Sequence, residues 1–234
     1  MRVAIITSVA QESSRILAEA LRNNGVQADV FDIKKLDKHN YEDYDSVFSY
    51  GTSHTTRHKH RFNPVEGVRN CVSKPRTFNI LKDNGCDTVP YVTRRGDVPK
   101  EWDWVVVRED AGGRKAEGMH IIEQGEQEMP QGELFTPFYE HKQEYRIVVF
   151  NGEVVGRFFK AEKEGWHWFN PQPKRGFEKM DDHCIRGAKA LGIDYVGFDV
   201  VAKDKKNFAI LEANSAARMT DEAENAIVSY YINL

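Results

Sequence analysis

The sequence lacks the marks of several protein classes. Its three cysteines, Cys71, Cys86 and Cys184, stand singly. None has the paired spacing of a zinc site or a disulfide framework, which points to a reducing compartment. No apolar run reaches the length needed to span a bilayer. The first eight residues, MRVAIITS, lack the layout of a signal peptide, so the expectation is a cytoplasmic protein. Neither sign of charge dominates: 33 Lys and Arg against 36 Asp and Glu give a net charge of -3. That balance argues against broad non-specific binding of nucleic acid. No G-x-G-x-x-G follows the first apolar run, so no dinucleotide site is expected there. There is no internal repeat and no low-complexity linker. What is present is 234 residues, 40% hydrophobic and 29% charged. This is an ordinary soluble globular composition, with room for one large or two small domains.

The opening reads as a small α/β unit. Residues 2–8 form a continuous apolar run, typical of a buried parallel strand. A helix follows, with Ile16, Leu17, Ala20 and Leu21 marking one face and Gly25 stopping it. Strands are expected at 28–33 and 46–50. The segment after them, GTSHTTRHKHRFNP, contains His54, Arg57, His58, Lys59, His60 and Arg61. Loops at strand ends of open α/β sheets bind ligands. The segment therefore reads either as an anion-binding substrate loop or as a solvated basic loop. Its histidine spacing lacks the cysteine or carboxylate that would complete a metal site.

Ser73-Lys74-Pro75 reads as a helix start, with Ser73 as cap, Pro75 in the first turn and Gly85 at the end. WVVVR at 104–108 and MHIIE at 119–123 read as strands joined by a loop rich in glycine and charge. Gly112, Gly113 and Gly118 allow close backbone approach to a phosphate, though hairpin loops are often glycine-rich for other reasons. Residues 144–150 and 153–160 form a hairpin about the tight turn Asn151-Gly152. GWHWFNPQPKRG reads as an aromatic loop. Helices are expected at 181–191, stopped by Gly192, and at about 219–231.

The most informative stretch is 196–214, VGFDVVAKDKKNFAILEAN. Two runs rich in β-branched and aromatic residues flank Asp204-Lys205-Lys206-Asn207, the pattern of a hairpin with a four-residue loop. A symmetric loop puts Asp199 across from Glu212, and alternation puts Asn214 on the same face. Like charges opposite each other destabilise a sheet, so something positive belongs between them. An oxygen-only donor set favours a hard cation such as Mg²⁺. A solvated hairpin face with incidental acids is the other reading.

In order and spacing these parts resemble the ATP-grasp superfamily over nearly the whole chain. NPVEGVRNCVSKPRTFNILKDNGCDTVP is similar to the family's opening segment, and VVVREDAGGRKAEGMHIIE to its lid strands and glycine-rich loop. EYRIVVFNGEVVGRFFK resembles the E/D-x-R hairpin of bacterial glutamate ligases and phage-type ATP-grasp proteins. GFDVV followed by ILEANS resembles the metal hairpin, D…E-x-N. The resemblance implies an α/β (α+β) fold in three parts. These are an N-terminal α/β domain (1–70), a central or lid subdomain (71–133) and a C-terminal subdomain (134–234) whose antiparallel sheet clamps ATP against the lid.

It further implies roles for named residues. Lys74 and Arg108 match two phosphate-contacting cations; Arg108 replaces the usual lysine but keeps its charge. Gly112 and Gly113 match the lid over the phosphates. Thr136, Pro137 and Phe138 fall where the hinge meets adenine, and Glu144 where an acid meets the ribose or nearby polar groups. Arg146 and Lys160 match cations facing the transferred phosphate, and Lys160 also counts among the nucleotide contacts. Asp199, Glu212 and Asn214 match the ligands of Mg²⁺, or of Mn²⁺ in its place. The Pro-Gly pair that often follows E-x-N is missing; Arg218 stands nearby instead and, with His54, Arg57 and His58, is a candidate for binding a substrate carboxylate. Arg218 reads equally as a surface residue at a helix start.

The implied activity is ATP-dependent amide bond formation between a carboxylate and an amine, through an acyl phosphate, on small-molecule or peptide substrates. An ATP-grasp kinase, a small-metabolite ligase and a nucleotide-binding regulator without turnover stay open as alternatives. The chain is short for the family, which leaves room for a homo-oligomer that supplies missing substrate-binding parts.

Overall fold

The structure is a computed structural model. It describes residues 1–8, 12–35, 41, 43–54, 58, 60–112, 118–125, 128–139, 143–163 and 166–234. The N-terminal apolar runs form a four-stranded parallel sheet in the order β2-β1-β3-β4: β1 (Arg2–Thr7), β2 (Gln27–Asp32), β3 (Ser46–Tyr50) and β4 (Arg61–Phe62). Helix α1 (Glu12–Asn23) makes the crossover between β1 and β2. Its buried face is Ser14, Leu17, Ala18 and Leu21, while Ile16 points out at 38% exposure. The apolar face thus follows the 3.6-residue period from Ser14. Counting apolar residues alone misplaces it by about one position.

Two helices then meet at a corner: α2 (Val65–Val72), which the sequence reading missed, and α3 (Lys74–Asp83). Ser73 occupies the N-cap position, but its side chain makes no capping bond. Instead the Thr77 hydroxyl donates to Ser73 O at 3.0 Å and to Asn70 O at 2.6 Å, tying the two helices together. Strands β5 (Trp104–Arg108), β6 (Met119–Glu123) and β7 (Leu134–Pro137) form an antiparallel sheet in the order β6-β5-β7.

The third sheet is antiparallel, in the order β10-β9-β8-β11-β12. Its members are β8 (Gln143–Phe150), β9 (Glu153–Lys163), β10 (Trp166–Pro171), β11 (Tyr195–Ala202) and β12 (Phe208–Asn214). Asn151 and Gly152 turn the β8–β9 hairpin with φ of 50° and 81°, the conformation this residue pair favours. Strand β10 corrects the expectation of an aromatic loop. Trp166–Pro171 pairs along β9 in a sequence rich in strand-favouring aromatic residues. Helix α4 (Glu178–Leu191) covers the back of this sheet and ends at Gly192, which is left-handed at φ 67°. Helix α5 (Asp221–Ile232) starts at Thr220, whose hydroxyl accepts from Ala223 N at 3.3 Å. Among the described residues no helix is long and apolar enough to cross a membrane.

Two apolar cores sandwich the third sheet. Tyr145, Ile147, Val149, Phe198 and Val200 pack on α4 and Leu81 of α3. On the opposite face, Val148, Phe150 and Phe158 join Phe48, Tyr50 and α5. Asn63 pins the first sheet to the third. It is fully buried with φ of 57°. Its N–H donates to Asp194 Oδ2 (2.9 Å), its amide nitrogen to Ser49 O (3.0 Å), and its Oδ1 accepts from Tyr195 N (2.7 Å). Burial raises the Asp194 pKa and the Asn63 N–H pulls it back. Asn tolerates positive φ and supplies both a donor and an acceptor; alanine does neither. We therefore expect Asn63→Ala to cost about 2–4 kcal/mol of stability, summing backbone strain and orphaned buried groups. Urea denaturation checks this, and an unchanged midpoint would contradict the pinning role.

Candidate active site

The register of the third sheet brings the predicted polar residues onto one face. Phe158, Arg146, Asp199 and Glu212 lie in one row across β9, β8, β11 and β12. Two residues along, and so on the same face, lies the row Lys160, Glu144, Val201 and Ala209. Two residues the other way lies Gly156, Val148, Gly197 and Asn214. Glu144, Arg146, Lys160, Asp199, Glu212 and Asn214 therefore form one continuous polar patch.

The β11–β12 hairpin reaches this register by an unexpected route. Its loop is residues 203–207, one longer than symmetry requires, because Ala202 pairs with Phe208. Asp204 Oδ1 organises the loop by accepting from Lys206 N (2.7 Å) and Asn207 N (2.9 Å). A register shift between Asp199 and Val200 then leaves Leu211 as an extra residue and restores Asp199 opposite Glu212.

The expected positive charge is present. Arg146 grips both oxygens of Asp199, Nε on Oδ1 and Nη2 on Oδ2 at 2.9 Å. Lys160 pairs with Glu144 and lies 3.7 Å from Asp199 Oδ2. Lys74, at the start of α3, reaches to 3.8 Å from Glu212 Oε2. Burial lowers the pKa of Lys74 and of Arg108, with Glu212 opposing the shift in both. Burial also pulls the Arg146 guanidinium down, but Asp199 and Glu212 outweigh it and leave the group more firmly charged than usual. Glu144, expected near a ribose or nearby polar groups, holds the Lys160 ammonium.

Facing this patch is the β6-β5-β7 sheet. Alternation puts Trp104, Val106 and Arg108 on one side, in rows with Ile121 and Thr136, and with Met119 and Leu134. Leu134 packs on Val201 and Ala209, so this side is turned toward the third sheet. Trp104 and Ile121 on this side are 43% and 45% exposed, and Phe138, whose N–H donates to Trp104 O, is 46% exposed. An apolar wall therefore faces a charged floor. Thr136 is buried in this wall and Pro137 ends β7. The sequence reading missed Trp104, Val106 and Ile121 as site residues, although their alternation with Arg108 was readable. Gly112 sits at the mouth, its N–H on Asp110 Oδ1 (2.7 Å) and its Cα side toward Val72 O, next to the α2–α3 corner. Gly113 lies outside the described residues.

The proposed carboxylate-binding group separates. Tyr50 donates to Ala217 O, Tyr195 donates to the same oxygen at 3.1 Å, and Gly51 N donates to Ser215 O at 3.2 Å. These bonds fix the loop that presents the exposed Arg218 at the C-terminal end of β3, where His54 also lies. His58 does not join them. Its Nε2 contacts Tyr44 O at 2.7 Å, beside the start of β3. β4 runs parallel to β3, so the chain must return to the strand's start before Arg61. The two ends of β3 are about 13 Å apart at 3.3 Å per residue. His58 instead lines a cavity of about 780 Å³ with Tyr44, His60, Arg61, Phe62 and Tyr230. Arg57 lies outside the described residues.

The residues fit a hard divalent cation. Asp199 and Glu212 face each other across one strand pair, and Asn214 adds an amide oxygen on the same face, so the donor set is all oxygen. Among the described residues no group of three or more His, Cys, Asp or Glu could hold a metal, so the amide is needed as the third donor.

No protein-family model matches the chain, and no curated protein matches it. Solved structures do. The ATP-grasp ligase PsnB, complexed with minimal precursor, Mg and ADP, superposes with a TM-score of 0.75 at 15% identity, covering 99% of this chain and 96% of that one. The fold is ATP-grasp. D-alanine–D-alanine ligase from Bacillus anthracis, complexed with ATP, matches at TM-score 0.71 and 16% identity, covering 100% of this chain and 95% of that one. The macrocyclase MdnC from Microcystis aeruginosa MRC, bound with its precursor peptide MdnA, matches at 0.75 and 12% identity, with 100% of both chains covered.

Within this fold the polar patch depends on Gly197. A Cβ there would lie 2.5 Å from Ala217 Cβ and 3.0 Å from Arg146 Cδ. We expect Gly197→Ala to destabilise by about 1–3 kcal/mol through overpacking. Gly96→Ala, which meets nothing within 4 Å, should stay within about 0.5 kcal/mol. Equal urea midpoints for the two variants would contradict the packing argument.

Proposed function

We propose that the protein is an ATP-dependent carboxylate–amine ligase that forms an amide bond through an acyl phosphate. The observation that carries this reading is the charged floor: Asp199, Glu212 and Asn214 on one face, bracketed by Lys74, Arg108, Arg146 and Lys160, opposite an apolar wall. A flat apolar base suits the wall of Val106, Ile121 and Thr136, with Pro137 and Phe138 at its edge. The triphosphate suits the four cations. Asp199, Glu212 and Asn214 would hold Mg²⁺, which when bound screens the charge of the phosphates.

In the reaction, a carboxylate oxygen bonds to the γ-phosphorus as the bond to the bridging oxygen of ADP breaks. The amine nitrogen then attacks the acyl carbon, phosphate leaves with the electron pair, and the nitrogen loses a proton. Both steps gather negative charge that Arg146, Lys160 and Arg108 stabilise, and positioning supplies much of the rest. Gly112 belongs to the lid that keeps water from the acyl phosphate. Arg218 and His54, at the end of β3 nearest the 215–217 loop, are the groups to hold the substrate carboxylate, Arg218 through a two-pronged contact. The ATP-grasp ligase PsnB was solved with precursor peptide PsnA2, the macrocyclase MdnC with precursor peptide MdnA, and the Bacillus anthracis ligase with ATP. They support substrates that carry the carboxylate and amine on a peptide or a small molecule.

Screening amino acids and peptides for release of ADP and phosphate tests the activity. Loss of partners behind a metal ligand typically costs 10–100-fold, so loss of a ligand itself should reach at least roughly 100-fold. Glu212→Gln is thus expected to lower Mg²⁺-dependent turnover roughly 100-fold or more. Its fold should persist at some cost in stability, because the change removes the charge facing the buried Lys74 ammonium while relieving the repulsion with Asp199. Full turnover of this variant at limiting Mg²⁺ would overturn the assignment.

A further inference from the structure

We infer that the Arg146–Asp199 pair makes the metal site conditional: a divalent cation occupies it only together with a nucleotide. This rests on the nucleotide-binding reading above and adds to it an order of binding and the residue that sets it.

Asp199 is buried, and both its oxygens accept from one guanidinium. Lys160 stands 3.7 Å from the same carboxylate and Lys74 3.8 Å from Glu212. Each of the two opposed carboxylates therefore has its own cation within the chain, and these pairs let the sheet tolerate Asp199 directly across from Glu212. Among the described residues the wider cluster is also balanced. Lys74, Arg108, Arg146 and Lys160 act on Asp110, Glu144, Asp199 and Glu212.

A bare divalent cation adds two positive charges to that balanced cluster. It must also take an oxygen of Asp199 while Arg146 holds both, so that it sits within a few ångströms of a guanidinium that has lost its counter-ion. In a partly buried site such repulsion is screened far less than in water. A metal–nucleotide complex carries its own compensation. Its phosphate oxygens offer Arg146, Lys160 and Lys74 new partners at the moment Asp199 and Glu212 are released to the metal. Guanidinium matches phosphate as well as it matches carboxylate, so the exchange keeps every charge paired. Arg146 is then a specificity-determining residue that rejects the free ion and admits the complex.

The test is Mn²⁺ binding to the full chain, read by electron paramagnetic resonance of the free ion, with and without ADP and corrected for Mn²⁺ held by ADP in solution. The wild-type chain should bind Mn²⁺ at least tenfold more tightly with ADP than without. Arg146→Gln should bind bare Mn²⁺ at least tenfold more tightly than wild type, with a smaller effect of ADP. Lys74→Gln, which frees Glu212, should move in the same direction and provides the second reading if Arg146→Gln does not fold. Equal Mn²⁺ affinity of the wild type with and without ADP overturns this inference alone. So does bare-ion affinity unchanged in both variants. No Mn²⁺ binding under either condition overturns the nucleotide reading together with it.

Discussion

Two carboxylates face each other across a strand pair, and the site is built to make that arrangement tolerable. Asp199 and Glu212 are neighbours on β11 and β12, at a spacing where like charges repel. Arg146 from β8 answers Asp199, and Lys74 from α3 answers Glu212. Much of the surrounding architecture follows from these two pairs. β8 must lie beside β11, α3 must begin at the edge of the third sheet, and Gly197 must lack a side chain so that Arg146 can pass. The cost of moving these charges out of water is offset only because each has a partner.

The same sheet face divides into three territories. Val148 and Phe158 are buried against the first sheet and α5, Val201 and Ala209 against the second sheet, and the charged residues lie between them. The cleft is thus the space left over when two sheets pack on opposite ends of a third. Its floor is rigid because the reverse face of that floor is the largest part of the α4 core. Its wall is apolar because strand alternation turns Trp104, Val106 and Ile121 inward while Val105, Val107 and Ile122 fill the core behind. Asn63 and the bonds from Tyr50 and Tyr195 to Ala217 O hold the first sheet against the floor.

Much of the charged floor was legible in the sequence because strands carry a period of two and short turns set register. Asn151-Gly152 could be read as a turn without knowing its neighbours, but alone it aligns Glu144 with Phe159; the irregularity between Val148 and Val149, which leaves Val155 as an extra residue on β9, brings Lys160 opposite Glu144. The 196–214 hairpin was read to the right pairing for an incomplete reason. A longer loop and the bulge at Leu211 cancel, and bulges leave no local mark in composition. The position of His58 was not legible, because it depends on β4 pairing parallel to β3, a long-range choice. The missing cap at Ser73 is similar: Thr77 captures the carbonyls at that corner through a contact between two helices. Strand β10 was hidden by flanking glycine and proline, which outweighed its aromatic residues in a local reading.

The central claim is that a magnesium–nucleotide complex lies between the second and third sheets. Hydrogen–deuterium exchange with and without Mg²⁺ and a non-hydrolysable ATP analogue tests this most directly. The account predicts added protection in β5, β7 and the β11–β12 hairpin around Asp199 and Glu212, with little change around Tyr44, His60 and Phe62. Protection confined to the cavity at Tyr44, His60 and Phe62, with β11 and β12 unchanged, would contradict it.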